Sequence, residues 1–478
     1  MALKVLKTGD FDTEYFNKPS FFIYLHTGIY AVAYGVGSIV GMTPDIASVE
    51  APKRLTLGTG YAPTPSVILL GESFAALLGV ATALVLFFCA RRLWGGRWTA
   101  LLAVSLFAVS RGNIVFNEIH PDAHVIFFLV LSLFFAIGIV ENGRTRDYLL
   151  TGITIGLAAS CKYNGFLFVP SVLIVHWISN RRSTIRDWLL DRRLWLGLSS
   201  IFVTFSLLNP YLILHSYRFV QMVYWESRNY VIGQNETLTV GSSNLWYVKA
   251  LLTEESPAYL LAILVVPFGL IPRTPKPGLL LSYPLTYLIA ILFLETKNMK
   301  LLALLVPFLA LLVGWLVHEV FLRLRDAQPR KRAMGLAALT AVLIVAILVP
   351  ARASIATSRA RRTEPSWSEA ARWIAANLPE DSRIAYEPYS PWMDGNQFDL
   401  VRTRRILDRS PSEFREMGIE YLAFSNRYFN FNRYRELRSV REPNAKAIRD
   451  ELVLLKSFED GGEQHFVYAV QSVQSASP

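Results

Sequence analysis

Several stretches of this 478-residue chain stay apolar for about 18 residues or more, among them 67–90, 301–322 and 333–349. A hydrocarbon core ~30 Å thick offers the backbone no hydrogen-bond partners, so such runs cross it as helices that satisfy their own polar groups. The chain therefore reads as a polytopic helical membrane protein. Composition agrees, since only 18% of residues are charged and 53% are hydrophobic, against about 25% charged in an average soluble domain. The net charge of +11 comes from arginine clusters between the apolar runs, which fits cytoplasmic loop charge and not a nucleic-acid footprint. Cys89 and Cys161 both lie in apolar segments, which leaves neither a disulfide framework nor a zinc spacing. The opening residues, Met1 to Glu14, read as neither a cleavable leader nor an anchor.

Placing Arg91, Arg92 and Arg97, the 181–193 arginines and the 323–332 cluster on the cytoplasmic side orders the crossings. Residues 1–65 become the remainder of a first outer loop, with 20–42 as an aromatic helix lying at the interface. The transmembrane helical domain spans 66–350. Within it, 99–116 comes out and 123–140 goes back, and the 148–178 stretch breaks at Ser160-Cys-Lys-Tyr-Asn-Gly165. Two short segments meeting at Lys162 keep the following arginines inside. A lysine buried there needs a partner in the bundle. Residues 215–256 form a long outer loop, which in a compact membrane protein points to function. From 351 to 478 the pattern changes to a helix over 367–377 and short strands at 383–387, 421–425 and 465–470, a small soluble α/β domain. The expected architecture is an all-α polytopic membrane bundle followed by a small extracytoplasmic α/β domain.

Chemistry is expected at the turn from Arg111 to His124, which carries Arg111, Glu118, His120, Asp122 and His124 between two spans. Ionisable groups at a membrane boundary are costly, so a cluster of them is a candidate site. Glu118, His120 and His124 also suit an ordinary solvated turn. The topology gathers this turn, Lys18, the 215–256 loop, Lys297 and Lys300 on one outer face. Lysines there would hold a phosphate as point charges, and a carboxylate would take the proton of an acceptor hydroxyl. There is no Gly-rich phosphate loop after a strand, no nucleophile elbow and no HExxH or paired-cysteine motif.

Thr8-Gly-Asp-Phe followed by Phe16-Asn-Lys-Pro-Ser-Phe-Phe-Ile-Tyr-Leu resembles the first outer loop of GT-C fold glycosyltransferases. The protein O-mannosyltransferase group (family 39) and the aminoarabinose transferases are the relevant branches. Leu77-Leu-Gly-Val-Ala-Thr, Pro121-Asp122, Gly156-Leu-Ala-Ala-Ser-Cys-Lys-Tyr and Lys300-Leu-Leu-Ala-Leu-Leu-Val-Pro look like its later landmarks, in the same order over most of 1–350.

This resemblance implies an integral inner-membrane enzyme that moves a sugar from a polyprenyl-phosphate donor to an extracytoplasmic acceptor, a lipid, glycan or protein, with inversion. It implies Asp122 as the catalytic residue and Lys18 as a phosphate contact. Arg111, Lys162, Lys297 and Lys300 complete the expected substrate-binding set. No cofactor is required by the residues, though a divalent cation (Mg or Mn) is compatible with the chemistry. The expected partners are the lipid donor and the bilayer, with no nucleic acid. The family pattern carries an acidic pair just upstream of the loop that opens this sequence, so a first span and that pair are expected before Met1. The competing readings are a transporter or flippase for lipid-linked sugars, and a catalytically inactive relative.

Overall fold

The computed structural model describes residues 1–39, 65–180, 184–231, 245–265, 275–360, 366–426, 435–460 and 463–470. The chain opens with α1 (Ala2–Thr8), closed by Gly9 in the left-handed region at φ 68°, and α2 (Phe21–Ile39). It continues through α3 (Pro65–Trp94), α4 (Arg97–Ala108), a 3-10 helix (Arg111–Asn117), α5 (Pro121–Asn142) and α6 (Thr145–Cys161). After a second 3-10 helix (Tyr163–Phe168) come α7 (Val169–Ser179), α8 (Ile185–Leu190), α9 (Arg192–Leu208), α10 (Pro210–Leu214) and α11 (Ser216–Val231). Then follow α12 (Leu245–Thr253), a 3-10 helix (Pro257–Val265), α13 (Pro275–Leu292), α14 (Met299–Ala303), α15 (Val306–Arg325) and α16 (Pro329–Ala360).

Among the described residues five helices are long and apolar enough to cross a membrane: α2, α3 (from Ile68), α5, α15 and α16 (to Ala356). The most intimate packing joins α5, α6 and α9. Gly152 and Gly156, one turn apart, let α6 lie directly on α9, where a methyl at Gly152 would fall 2.1 Å from the Gly197 carbonyl oxygen. Small residues at this spacing allow helix backbones to approach closely where lipid supplies no hydrophobic drive.

Three expectations change in detail. The 99–116 crossing is a 12-residue α-helix followed by the 3-10 helix at Arg111. Pro121 then starts α5 at its first turn, where a missing N–H is harmless. The Arg111–His124 stretch is thus helical nearly throughout. The 215–256 segment holds two helices, α11 and α12, because its aromatic residues recur at helical spacing, and its 232–244 portion lies outside the described residues. Of the 20–42 segment the described residues form the expected helix, α2 (Phe21–Ile39), which by length and composition could also span. The loop read over 43–65 lies, but for Pro65, outside the described residues. The break near Lys162 is present, with α6 ending at Cys161 and Lys162 in extended conformation.

The C-terminal part comprises α17 (Ser366–Asn377), β1 (Arg383–Tyr386), β2 (Asp399–Arg402), α18 (Pro411–Glu416), β3 (Tyr421–Ser425), α19 (Arg435–Glu451), β4 (Val453–Asp460) and β5 (Glu463–Ala469). The described strands form one sheet in the order β2-β1-β3-β5-β4. β1 pairs in parallel with β2 and β3, whereas β5 is antiparallel to both β3 and β4. Parallel pairs need a crossover, and the 3-10 turn at Ile406–Asp408 with α18 supplies it between β2 and β3. Both faces are covered, by Phe414, Ile419 and Ile448 on one side and by Ala370, Ile374 and Phe398 on the other.

Candidate functional site

The residues before α2 are wound into the bundle. Asn209, at the α9–α10 joint, accepts from the Ser20 and Phe21 amides at 2.8 and 3.3 Å, taking two of the unpaired donors at the start of α2. Tyr163 donates to the Phe16 carbonyl at 2.7 Å. Upstream, Asp12 pairs with His215 at 2.9 Å and Glu14 with Arg218 at 3.3 Å. The Gly9–Ser20 segment is therefore stapled between the α6 break and the start of α11.

A cavity of about 290 Å³ opens where these pieces meet. Lys18 and Asn17 enter it from the first loop, Lys162 from the α6 break, Glu226, Ser227 and Tyr230 from α11, and Ala290 and Ile291 from α13. Two cations thus face a pocket whose remaining wall is largely aliphatic. Burial and the neighbouring Lys162 ammonium pull the Lys18 ammonium below the usual lysine range, with Asp122 and Glu226 offsetting part of that. An anion placed here would relieve the repulsion. Burial raises the Tyr15 phenol, and Glu226, Tyr230 and Tyr389 add to it. Tyr389 belongs to the loop after β1, so the sheet domain comes near Tyr15. Its backbone is held in the left-handed region at φ 73°, a conformation that costs a tyrosine energy and needs support from its surroundings.

Behind Lys162 lies Asp122, in the first turn of α5 and fully buried. One carboxylate oxygen takes the Lys162 ammonium at 2.6 Å and the other meets His120 Nδ1. Burial holds His120 below the ordinary histidine range. This geometry makes Asp122 the residue that fixes Lys162 against the cavity wall, not one that lines the cavity.

The other expected residues divide. Lys300 pairs with Glu118 at 2.9 Å beside this cluster. Arg111 turns away and pairs with Glu254. Lys297 is buried, directed at the Leu292 and Leu294 carbonyls that end α13, with the Tyr247 ring centroid 5.0 Å away. A cation at a helix C-terminus satisfies its last carbonyls, so Lys297 is placed as a cap. His124 is buried against His26, ring centroids 5.2 Å apart. Among the described residues no group of three or more His, Cys, Asp or Glu side chains stands where it could hold a metal.

Two acids were not singled out from the sequence. Glu226 is one polar position in an amphipathic helix, and only its placement against Asn17, 3.5 Å away, puts it on the cavity. Glu255 is fully buried and accepts from the Ser110 hydroxyl and, at 2.5 Å, from the Gly112 amide. It grips the N-terminus of the 3-10 helix that leads to His120 and Asp122. Burial pushes its carboxyl up to about 7, against these hydrogen bonds. The Glu254-Glu255 pair that would have flagged it reads in sequence as one polar step between α12 and an apolar run.

Residues 70–211 match the family model described as dolichyl-phosphate-mannose-protein mannosyltransferase. The fold is similar to that of ArnT from Cupriavidus metallidurans bound to undecaprenyl phosphate, at TM-score 0.55 and 14% identity, over 100% of this chain and 93% of that one. The apo state of the same protein matches at TM-score 0.54 and 13% identity, over 98% and 92% of the two chains. The archaeal oligosaccharyltransferase AglB from Archaeoglobus fulgidus, in complex with an inhibitory peptide and a dolichol-phosphate, matches at TM-score 0.54 and 12% identity, over 97% of this chain and 67% of that one. No curated protein matches the chain in sequence. The chain has the fold of these structures, a GT-C fold, and its 70–211 part matches the protein-mannosyltransferase model.

Proposed function

We propose that the chain is an integral-membrane glycosyltransferase that draws its sugar from a polyprenyl-phosphate donor. The observation that carries this is the convergence of Lys18 and Lys162 on one cavity with aliphatic walls, inside a fold whose similar structures hold undecaprenyl phosphate or a dolichol-phosphate. Two ammonium groups suit a phosphate that is released with the bonding electrons, because they stabilise the charge that grows on it. The aliphatic wall suits the first isoprene units.

In this reading the acceptor hydroxyl oxygen attacks the anomeric carbon, the carbon–phosphate oxygen bond breaks, and the phosphate leaves as an anion on Lys18 and Lys162. The hydroxyl proton passes to a carboxylate. Among the described residues lining the cavity that carboxylate is Glu226, whereas Asp122 and His120 hold Lys162 in place. Lys300 with Glu118 stands beside them. The acceptor is an extracytoplasmic lipid, glycan or protein, and the cavity and the C-terminal domain face the outside of the inner membrane. A divalent cation would enter with the donor phosphate.

The transporter reading is less favoured. It asks for ionisable groups facing a cavity at broken helices in both halves of the bundle, whereas among the described residues Lys18 and Lys162 meet at one break.

The test is binding and transfer with purified full-length protein in lipid nanodiscs. Lys18→Met is expected to weaken undecaprenyl phosphate binding about tenfold or more, the loss of one charge-assisted contact of ~1.5–3 kcal/mol. Glu226→Gln is expected to keep that binding and lose transfer from a polyprenyl-phosphate sugar. Unchanged binding in Lys18→Met would refute the phosphate site, and full transfer by Glu226→Gln would remove Glu226 as proton acceptor.

A further inference from the structure

α11 has two faces, and the description so far uses one. Phe219, Met222, Glu226 and Tyr230 point into the protein. The Phe219 ring packs on Tyr163 at 5.9 Å, the Met222 sulfur accepts from the Phe16 amide at 3.4 Å, and the Tyr230 carbonyl accepts from the Glu295 and Thr296 amides, both at 3.1 Å. The opposite face presents Tyr217, Val220, Tyr224 and Trp225, which are 78, 61, 58 and 56% exposed. Tyr217, Val220 and Tyr224 follow at intervals of three and four and form one stripe along the helix, with Trp225 at its edge, eight residues from Tyr217. Arg228 flanks it, its guanidinium 5.6 Å from the Trp225 ring centroid.

An aromatic stripe this exposed is costly in water and needs a cover. The neighbouring surface says which. α9 and α10 lead into α11 and expose Phe202, Leu207, Ile213 and Leu214 on their outer side. α9 packs on α6 by its other side, and in a membrane bundle an exposed apolar side faces lipid. The stripe on α11 continues this apolar surface around the corner, and it changes from aliphatic to aromatic as it does so. Tyrosine and tryptophan concentrate at the headgroup level, where one end of the ring is dry and the other wet. A helix that keeps one face on the protein and turns an aromatic and apolar face with an arginine toward lipid lies in the interface plane.

We propose that α11 lies flat in the membrane interface with Tyr217, Val220, Tyr224 and Trp225 sunk into the lipid. The same helix supplies Glu226, Ser227 and Tyr230 to the cavity. One wall of the cavity is then a membrane-embedded element, and the bilayer itself holds Glu226 at its working depth. This last consequence rests on the proposed transferase reading, whereas the interfacial position does not.

Spin labels test it on the full chain in vesicles of phosphatidylethanolamine and phosphatidylglycerol. Nitroxides are attached at Tyr217→Cys, Val220→Cys and Tyr224→Cys, one at a time, with Glu380→Cys in the sheet domain as an aqueous reference. The native Cys89 and Cys161 are fully buried, which keeps background labelling low. The three α11 labels are expected to collide more often with lipid-soluble oxygen than with a water-soluble nickel chelate, and the Glu380 label the reverse. Labels at α11 that behave like Glu380 would overturn the proposal. So would labels shielded from both reagents, which would mean that a second copy or another part of the chain covers the stripe. If the depth result holds and transfer assays fail, only the function reading falls.

Discussion

Removing the Lys162 ammonium separates what the buried pair does for the fold from what it does at the cavity. In Lys162→Met the Asp122 carboxylate loses its 2.6 Å cation while remaining fully buried. Breaking a buried ion pair from one side costs about 3–5 kcal/mol, since the other charge is left behind without compensation. His120 still meets the second carboxylate oxygen, so the lower end applies, about 3 kcal/mol, or roughly two decades in the unfolding equilibrium. Asp122→Asn should cost less, because the Lys162 side chain keeps 12% exposure and its ammonium borders the cavity. The double variant carries no charge to strand and should return to within about 1 kcal/mol of the native chain. Thermal or SDS-driven unfolding in detergent reads all four proteins, and a transfer assay in nanodiscs reads the site. Transfer should fall by about a hundredfold in every variant that lacks Lys162, the scale of losing one group that stabilises developing charge. Recovery of stability in the double variant without recovery of transfer is the expected signature. A loss below about 1 kcal/mol in Lys162→Met, or a double variant no more stable than the single, would refute the account of mutual dependence.

Two more outcomes follow from the geometry. Glu255 has a carboxyl raised from 4.5 to about 7 in the fold, so the folded state holds the proton more tightly than the unfolded one. Its stabilisation is complete below about pH 4.5 and is lost as pH rises through about 7, a difference of about 3 kcal/mol; melting temperatures at pH 5 and 8 should differ by more in the native chain than in Glu255→Gln, and equal slopes would show the carboxyl to be ionised throughout. Gly165 faces the end of α6 so closely that an added methyl would sit 2.3 Å from the Ala159 nitrogen. Gly165→Ala should therefore destabilise by about 2 kcal/mol and weaken donor binding by displacing the adjacent Lys162, measured by unfolding and by undecaprenyl phosphate titration; an unchanged affinity would show that Lys162 does not depend on this contact.

The parts of the fold that were legible in sequence are those whose signal is local and large. Apolar runs located α3, α5, α15 and α16, and the polar island Ser160–Gly165 in an apolar stretch located the break at Lys162. Charge balance told that the break was needed. Less was legible where the signal is tertiary. α4 stops at Ala108 because the Ser110 hydroxyl accepts from the Gly112 amide and Glu255 then takes over that same amide, an interaction 143 residues apart in sequence. β2 and β4 were missed: Asp399-Leu-Val-Arg is too short to show alternation, and Val453-Leu-Leu-Lys has a register shift between Leu454 and Lys456. α19 was missed since its run of charges resembles a solvated loop until Ala445 and Ile448 are seen in the core. At the site, Lys18 and Lys162 could be named from chemistry, but Glu226 could not, because its value depends on which way a surface helix is rolled.

From Pro329 to Ala356 α16 runs 28 residues, a rod of about 42 Å at 1.5 Å per residue, of which the apolar run 333–349 is the central part. A hydrocarbon core of ~30 Å leaves about 12 Å of it to tilt or to stand clear of the lipid. Its far end is not free to choose, since Ser354 donates to the Val109 carbonyl at 2.8 Å and Ser256 to the Ala346 carbonyl at 2.7 Å. Those two bonds fix the rod to the segment that leads to Asp122. Thinning or thickening the bilayer would therefore pull on the Ser110–Asp122 segment through α16, and transfer in the proposed reaction should vary with acyl-chain length as a strain gauge varies with load.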